Sequence, residues 1–303
     1  MGSRVIGIGE VLWDLFAEGP QLGGAPANFA FHAQALGARA MVLTRIGADC
    51  HGRDIIARLK ALELPPGTVQ IDEKAPTGTV AVTLNGSGDP HFEIHENVAW
   101  DRLEITDLAC SAVSAAEAIC FGTLAQRNPL SRSTIQHLVG AAPANALRVF
   151  DINLRQPYFT RDVIEQSLIL ANVVKLNESE LAILNSMFQL GKNMEQQMER
   201  LAMTFGSRLV ALTRGPLGSI LFENGRWSHQ LPAPVRVVDT VGAGDSFTAT
   251  LVMGLLADME LDALHAAAAE VAGFVCTQPG ATPALPGQIR DKFIHAAARP
   301  AEV

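Results

Sequence analysis

Nine residues, Asp239 to Phe247, read DTVGAGDSF and carry the densest chemistry in the chain. They follow an extended run (Val235, Val237, Val238) and open an apolar stretch of helical spacing, Phe247 to Leu256. Gly242, Ala243 and Gly244 therefore fall at the mouth of an expected helix, with the carboxylate of Asp245 directly behind them. A helix start presents unpaired backbone N–H groups and a partial positive charge, and both attract an oxyanion. Residues without bulk let that oxyanion approach the backbone closely. An acid beside such a hole can take the proton from a hydroxyl that attacks phosphate, and the helix dipole should keep it ionised at neutral pH. Without chemistry, the same residues make a glycine-started helix with an acid well placed in its first turn.

Other segments have comparable double readings. Gly23-Gly24-Ala-Pro-Ala-Asn28 leads into a helix, bringing backbone close to a ligand with Asn28 as donor and acceptor. A tight turn into a proline-started helix accounts for it equally well. Asp151-Ile-Asn153-Leu-Arg155 ends a strand with polar groups, where open α/β sheets bind ligands. Asn177-Glu-Ser-Glu180 also follows a strand end, and its Asn and Glu share one helix face, which suits Mg²⁺-bound water and phosphate oxygens. Alone, that tetrapeptide reads as a capping box. His91, Glu93 and His95 share a strand face, but with no fourth ligand nearby a solvated polar face is the stronger reading. Gly7-Ile-Gly-Glu is no dinucleotide fingerprint, because Leu12 stands where the third glycine belongs.

These residues need a scaffold, and the chain spells one out by alternation. RVIGIGE reads as a strand, Ala27 to Leu36 as a helix ended by Gly37, then AMVLTRIG as a strand and GRDIIARLKAL as a helix. AAEAICFG, ALRVFDIN, ANVVKLN and SRLVALT are apolar runs, polar only near their ends, as a parallel sheet covered on both faces requires. The expected architecture is a three-layer α/β/α sandwich with a mostly parallel sheet. TGTVAVTLNGSGDPHFEIHEN breaks the pattern. It alternates apolar and polar residues about a turn segment, so it should form a β-hairpin in a small sheet of its own.

Composition narrows the function. With 303 residues and 48% apolar content, the chain can bury a large core as a globular protein. A net charge of −8 without a basic cluster argues against nucleic acid. Cys50, Cys110, Cys120 and Cys276 form no CxxC pair, so reduced thiols in a cytoplasmic protein are expected. No secretory signal is read at the N-terminus, and no apolar run approaches the ~20 residues of a membrane span.

Taken in order and spacing, GGAPAN, DINLR, NESE, TRGPLGS and DTVGAGDSF resemble the ribokinase-like (PfkB-type) carbohydrate kinases over nearly the whole chain. GEVLWD at 9–14, GGAPANFAFHAQALG and ENVAWD at 96–101 are most similar to bacterial fructokinases. The resemblance implies one kinase domain over 1–303, with a lid formed mainly by 11–22 and 78–97. It implies Asp245 as catalytic base and Gly242, Ala243 and Gly244 as the anion hole. Asp14, Gly24 and Asn28 would contact sugar hydroxyls. Asn177 and Glu180 would serve Mg²⁺ and phosphate, and Thr213, Gly215 and Gly218 the nucleotide. Asp239 and the carbonyls of Val241 and Gly280 would form a K⁺ loop. ATP, Mg²⁺ and K⁺ are thus the implied cofactors, a small sugar the substrate, and a second copy docked through the lid the partner.

Two departures bear on the sugar. Thr123-Leu-Ala-Gln-Arg carries no acid where ribokinases place one, which argues against ribose. EIHENVAWD lacks the arginine that many fructokinases carry in the lid. D-fructose is the first expectation and 2-keto-3-deoxygluconate the second, with Arg155 available to hold its carboxylate. A sugar-binding regulatory protein without catalysis, and a dehydrogenase, are the alternatives from other classes. The intact GAGD and the missing dinucleotide glycines count against them respectively.

Overall fold

The computed structural model describes residues 2–17, 19–84, 90–155, 157–232 and 234–296. Thirteen strands run through them: β1 (Arg4–Ile8), β2 (Leu12–Phe16), β3 (Gly19–Gly23), β4 (Arg39–Gly47), β5 (Val69–Asp72), β6 (Gly78–Leu84) and β7 (Pro90–Ile94). The rest are β8 (Ala118–Phe121), β9 (Leu147–Asp151), β10 (Val173–Asn177), β11 (Leu209–Thr213), β12 (Ser219–Glu223) and β13 (Arg226–Gln230).

Nine of these make one sheet in the order β13-β12-β11-β10-β9-β8-β1-β4-β5. From β11 to β5 every pairing is parallel, and β12 and β13 extend one edge antiparallel. Because side chains alternate across a strand, each strand feeds both faces. Val5, Val173, Leu209 and Ala211 pack on one side, against the helices Ala25–Ala35, Ala243–Leu256 and Leu261–Cys276. Ile6, Val174, Val210 and Leu212 pack on the other, against helices that contribute Leu138, Leu168, Leu184 and Leu201. Each such side chain is fully buried, which stabilises the fold by roughly 1.5–3 kcal/mol apiece. This is the expected three-layer sandwich.

Strands β2, β3, β6 and β7 form a separate four-stranded sheet in the order β3-β2-β6-β7, so the stray hairpin does lie outside the main sheet. Its pairing sets Val80 opposite Ile94 and Val82 opposite Phe92, on one apolar face. Val80 is buried, whereas Phe92 is exposed. The turn residues Asn85 to Asp89, and the side chain of His91, lie outside the described part of the chain. The sheet is tied to the body at both ends. Trp13 Nε1 donates to the His51 carbonyl at 3.0 Å, and Arg127 and Tyr158 donate to the carbonyls of His95 and Ile94.

One extended segment does not become a strand. Val235, Val237 and Val238 are exposed and outside any ladder, with Val238 N–H donating to the Cys276 carbonyl. Pro232 and Pro234 lead into the run, and proline cannot donate to a ladder.

Candidate active site

The carboxyl ends of β1, β9 and β10 meet the N-terminus of the helix Ala243–Leu256, and the predicted chemistry gathers there. Gly242 precedes that helix with φ 77°, a left-handed conformation, and a Cβ on it would come within 2.6–2.8 Å of Ala281. Only glycine fits. A Cβ on Gly244 would come within 2.9 Å of Lys175 Nζ, so a lysine ammonium lies directly against the expected anion hole.

Asp245 stands in the first turn of the helix, and Asn28 Nδ2 donates to its Oδ2 at 2.8 Å. Asn28 comes from the first full turn of the helix Ala25–Ala35, whose cap is Gly24, with φ 111°. The Gly24 carbonyl accepts from both Ala27 N and Asn28 N. Thus a turn conformation available to glycine aims the amide at the acid. The dipole does not dominate the acid's charge state. Burial of the carboxyl, then the neighbouring Asp151 charge, raise the Asp245 pKa to about 6, while Asn28, Lys175 and Arg155 pull it down. The group is mostly ionised at neutral pH, yet is a stronger base than a free carboxylate.

Asp151 is held on both oxygens. Lys175 Nζ donates to Oδ1 at 3.1 Å and Thr248 Oγ1 donates to Oδ2 at 2.8 Å. Burial alone would lower the Lys175 pKa, but Asp151, Glu180 and Asp245 outweigh it and the net shift is upward. Lys175 is therefore a permanent buried cation under the site.

Asn177 caps the helix Glu178–Phe188 in a complete capping box. Its Oδ1 accepts from Glu180 N, while Glu180 Oε2 accepts from Asn177 N and Oε1 accepts from Leu154 N. Both Glu180 oxygens are thus engaged by backbone, and the residue is only 4% exposed. With both oxygens so engaged, it fits Mg²⁺ through water better than as a direct ligand. Thr213 ends β11, and Gly215 and Gly218 turn the chain with φ 54° and 88° into β12. Arg214 Nε, in the same loop, binds Glu178 Oε1 at 2.8 Å and joins this loop to the capped helix.

Asp239 Oδ1 accepts from Val241 N and Oδ2 from Gly280 N, each at 3.0 Å, so one carboxylate clips together the two segments of the expected cation loop. Asp14 lies on β2 and is half-buried. Burial raises its pKa to about 6, and Arg155 partly offsets that. Arg155 itself is exposed, with its guanidinium donating to the Leu154 carbonyl. His95 Nδ1 is paired with Thr79 Oγ1 at 2.6 Å, and among the described residues no cluster of three metal-ligating side chains occurs.

Two residues of this site escaped the reading of motifs. Lys175 and Glu10 are both buried and charged. Each is a lone charge in or just after an apolar strand, VVKLN and VIGIGE, and that contradiction of a buried-strand pattern was the available signal.

An acid in the first turn of a glycine-started helix, at the carboxyl edge of a doubly covered sheet, is the arrangement expected of a phosphotransferase with an alcohol acceptor, and known proteins similar to this chain agree on that class. The pfkB family of carbohydrate kinases matches over residues 19–288, and the chain belongs to that family. It is 32% identical over 280 residues to a sugar kinase of Pyrococcus horikoshii, covering 86% of each chain. A crystal structure of a sugar kinase from that organism in complex with ATP superposes with a TM-score of 0.77, at 28% identity over 92% of this chain and 94% of that one. A fructokinase of Klebsiella pneumoniae is 30% identical over 303 residues, covering 94% of this chain and 97% of that protein. The structure of a fructokinase from Vibrio cholerae O395 with fructose, ADP and calcium ion gives a TM-score of 0.78 at 25% identity, over 96% and 98% of the two chains.

Proposed function

We propose that this sugar kinase is an ATP-dependent fructokinase that uses Asp245 as its base. The observation that carries the reading is the 2.8 Å hydrogen bond from Asn28, an expected sugar contact, to Asp245. It puts the sugar-holding helix and the acid on the same few ångströms of space. Asp14, Gly24 and Asn28 hold the hydroxyls, and Asp245 takes the proton as the attacking oxygen bonds to phosphorus. Phosphoryl transfer needs mainly positioning and charge neutralisation. The N–H groups behind Gly242, Ala243 and Gly244, backed by Lys175, supply both.

ATP lies along Thr213, Gly215 and Gly218, with its phosphates toward Gly244. Asn177 and Glu180 would hold Mg²⁺ through water, and the ion would supply neutralisation of phosphate charge. Asp239 with the carbonyls of Val241 and Gly280 would hold K⁺, which would order the loops that Asp239 clips. Equal rates in Na⁺, K⁺ and a large organic cation would remove the K⁺ site from this reading. The small sheet, 11–22 and 78–97, acts as a lid that excludes water. Its exposed Phe92 lies on the face that docks a second copy, and a monomer in solution would refute that. The free cysteines fit a reducing, cytoplasmic setting.

D-fructose is favoured because the Klebsiella pneumoniae relative is a fructokinase over most of both chains. Arg155 favours the second reading, 2-keto-3-deoxygluconate, since its charge acts on Asp14 and Asp245. A coupled ADP-release assay across fructose, ribose, 2-keto-3-deoxygluconate and adenosine tests the choice. Highest kcat/KM for the keto-acid would overturn fructose, and no turnover on any sugar would overturn the kinase assignment of the site.

A further inference from the structure

Glu10 follows β1 and is only 4% exposed, and its Oε2 has no partner among the described residues. A buried carboxylate oxygen without a hydrogen bond is costly, and it marks a place where something polar belongs. Beside it lies a small cavity of about 10 Å³, lined by Glu10, Asp151 and Asp245 among Pro26, Phe29 and Cys120. That is room for about one water, which also needs two or more polar partners. Asp151 has both oxygens bound by Lys175 and Thr248. Asp245 accepts from Asn28 on Oδ2, and its Oδ1 takes part in none of the described hydrogen bonds. The lining thus leaves two underused carboxylate oxygens, one from the base and one from Glu10.

We propose that one water in this cavity bridges Asp245 and Glu10, and that Glu10 receives the proton which Asp245 takes from the sugar. The inference rests on Asp245 being the base. After transfer, the Asp245 carboxyl O–H breaks toward the water oxygen while the water passes one of its own protons to Glu10 Oε2. The water is regenerated, Asp245 is again a carboxylate and Glu10 is a neutral acid. Glu10 gives the proton to solvent when the site opens for product release. A base enclosed with its product has no direct exit for its proton, and this path provides one.

The charges around Glu10 agree with that role. Burial raises its pKa to about 7; Asp245 adds to the rise, and the Arg155 and Arg127 guanidiniums oppose it. Burial raises Asp245 as well, so both acids take up a proton more readily than free carboxylates and one can pass it to the other. Cys120 is the remaining titratable group of the lining, and burial holds its thiol well above its usual range, so it stays neutral. Asp151 has its two oxygens occupied by Lys175 and Thr248, so Glu10 is the carboxylate of the lining with an oxygen free to receive.

The test is the pH profile of kcat for Glu10→Gln and Glu10→Met, with Asp245→Asn in parallel and melting temperature as the check on folding. In either folded Glu10 variant the high-pH plateau of kcat should fall about tenfold or more, less than the ~10²–10⁴ worth of the base itself. KM for ATP and for sugar should stay close to the parent values. A purely electrostatic or structural role would shift the midpoint of the acid limb, or the melting temperature, and leave the plateau alone. A plateau within roughly twofold of the parent in a folded variant overturns the relay. If Asp245→Asn also keeps its turnover, the base assignment falls with it. If only the Glu10 variants keep theirs, the base stands and the relay alone is wrong.

Discussion

Asn28 Nδ2 lies 2.8 Å from Asp245 Oδ2, joining two helices whose partners are 217 positions apart in sequence. The amide holds the acid in place and favours its ionised form, because an N–H donor stabilises the anion it touches. It therefore opposes the burial that raises the Asp245 pKa. Removing the amide should shift the acid's balance toward the protonated form.

In Asn28→Ala the acid limb of kcat should accordingly move up by about one pH unit, the worth of a charge-assisted hydrogen bond of roughly 1.5 kcal/mol. The sign follows from loss of a contact that lowers the pKa. KM for the sugar should rise as well, while KM for ATP should not. An acid limb that stays where it is in the parent enzyme would separate Asn28 from the base.

Asp245→Asn keeps the side chain's size but cannot take a proton. Turnover should fall by roughly 10²–10⁴, the usual contribution of general-base catalysis. The anion hole is backbone and remains, so KM for ATP should move little. Asparagine is also tolerated at a helix start, so the melting temperature should barely change. Near-normal turnover with a lower melting temperature would make Asp245 a structural residue.

Much of this was legible from residue order, and the rest fails for identifiable reasons. The parallel strands could be read because apolar runs such as VVKLN and LVALT are long enough to be covered on both faces. The hairpin could be read because Val80, Val82, Phe92 and Ile94 alternate with polar neighbours. GAGD could be read because small residues open a helix directly before an acid, and its order among the other motifs favoured chemistry over a plain helix start. Glu180 was harder. The Asn-x-x-Glu spacing serves a cation site and a capping box alike, and only the engaged oxygens distinguish them. Lys175 and Glu10 were overlooked because their meaning depends on neighbours from other strands and from the helix Ala243–Leu256. That Asp245 stays ionised at neutral pH could be read from the helix dipole, but the rise of its pKa could not, because it comes from burial first and then from Asp151, far away in sequence.

Lys175→Met should be costly. It leaves the Asp151 carboxylate buried with only Thr248 as partner, and breaking one side of a buried ion pair costs about 3–5 kcal/mol. Denaturant unfolding should show that loss, and kcat should fall because the cation against Gly244 is gone. A double variant, Lys175→Met with Asp151→Asn, should recover much of the stability without recovering kcat. Full recovery of both would reduce Lys175 to a structural counter-ion.

Arg155 offers a test of the choice between sugars. Its guanidinium is exposed, so its influence on a neutral sugar should be small. With fructose, Arg155→Ala should change kcat/KM by at most about fivefold, the worth of an exposed charge contact near 1 kcal/mol. With 2-keto-3-deoxygluconate the loss should be much larger, if that acid is turned over at all. A large loss on fructose would mean that Arg155 contacts the reacting groups directly.

Stability should depend on pH through Glu10. Its pKa rises from 4.5 in the unfolded chain to about 7 in the folded one. Between those values the native state binds more protons than the unfolded state, so stability falls as pH rises. Below 4.5 both states are protonated and the penalty is absent; above about 7 it is complete, at roughly 3 kcal/mol for a shift of this size. Asp245, raised from 3.8 to about 6, adds a slope of the same sign at slightly lower pH. His32 and His265, whose pKa values burial lowers from 6.5 to about 4, add slopes of the opposite sign in that range, so the Glu10 contribution is read as the difference in slope between parent and variant. Glu10→Gln has no proton to lose and should flatten the upper part of the carboxylate slope, while Asp245→Asn flattens the lower part. Urea midpoints at several pH values for the three proteins test this directly. An unchanged slope in Glu10→Gln would mean that Glu10 titrates in the native protein as it does in the unfolded chain.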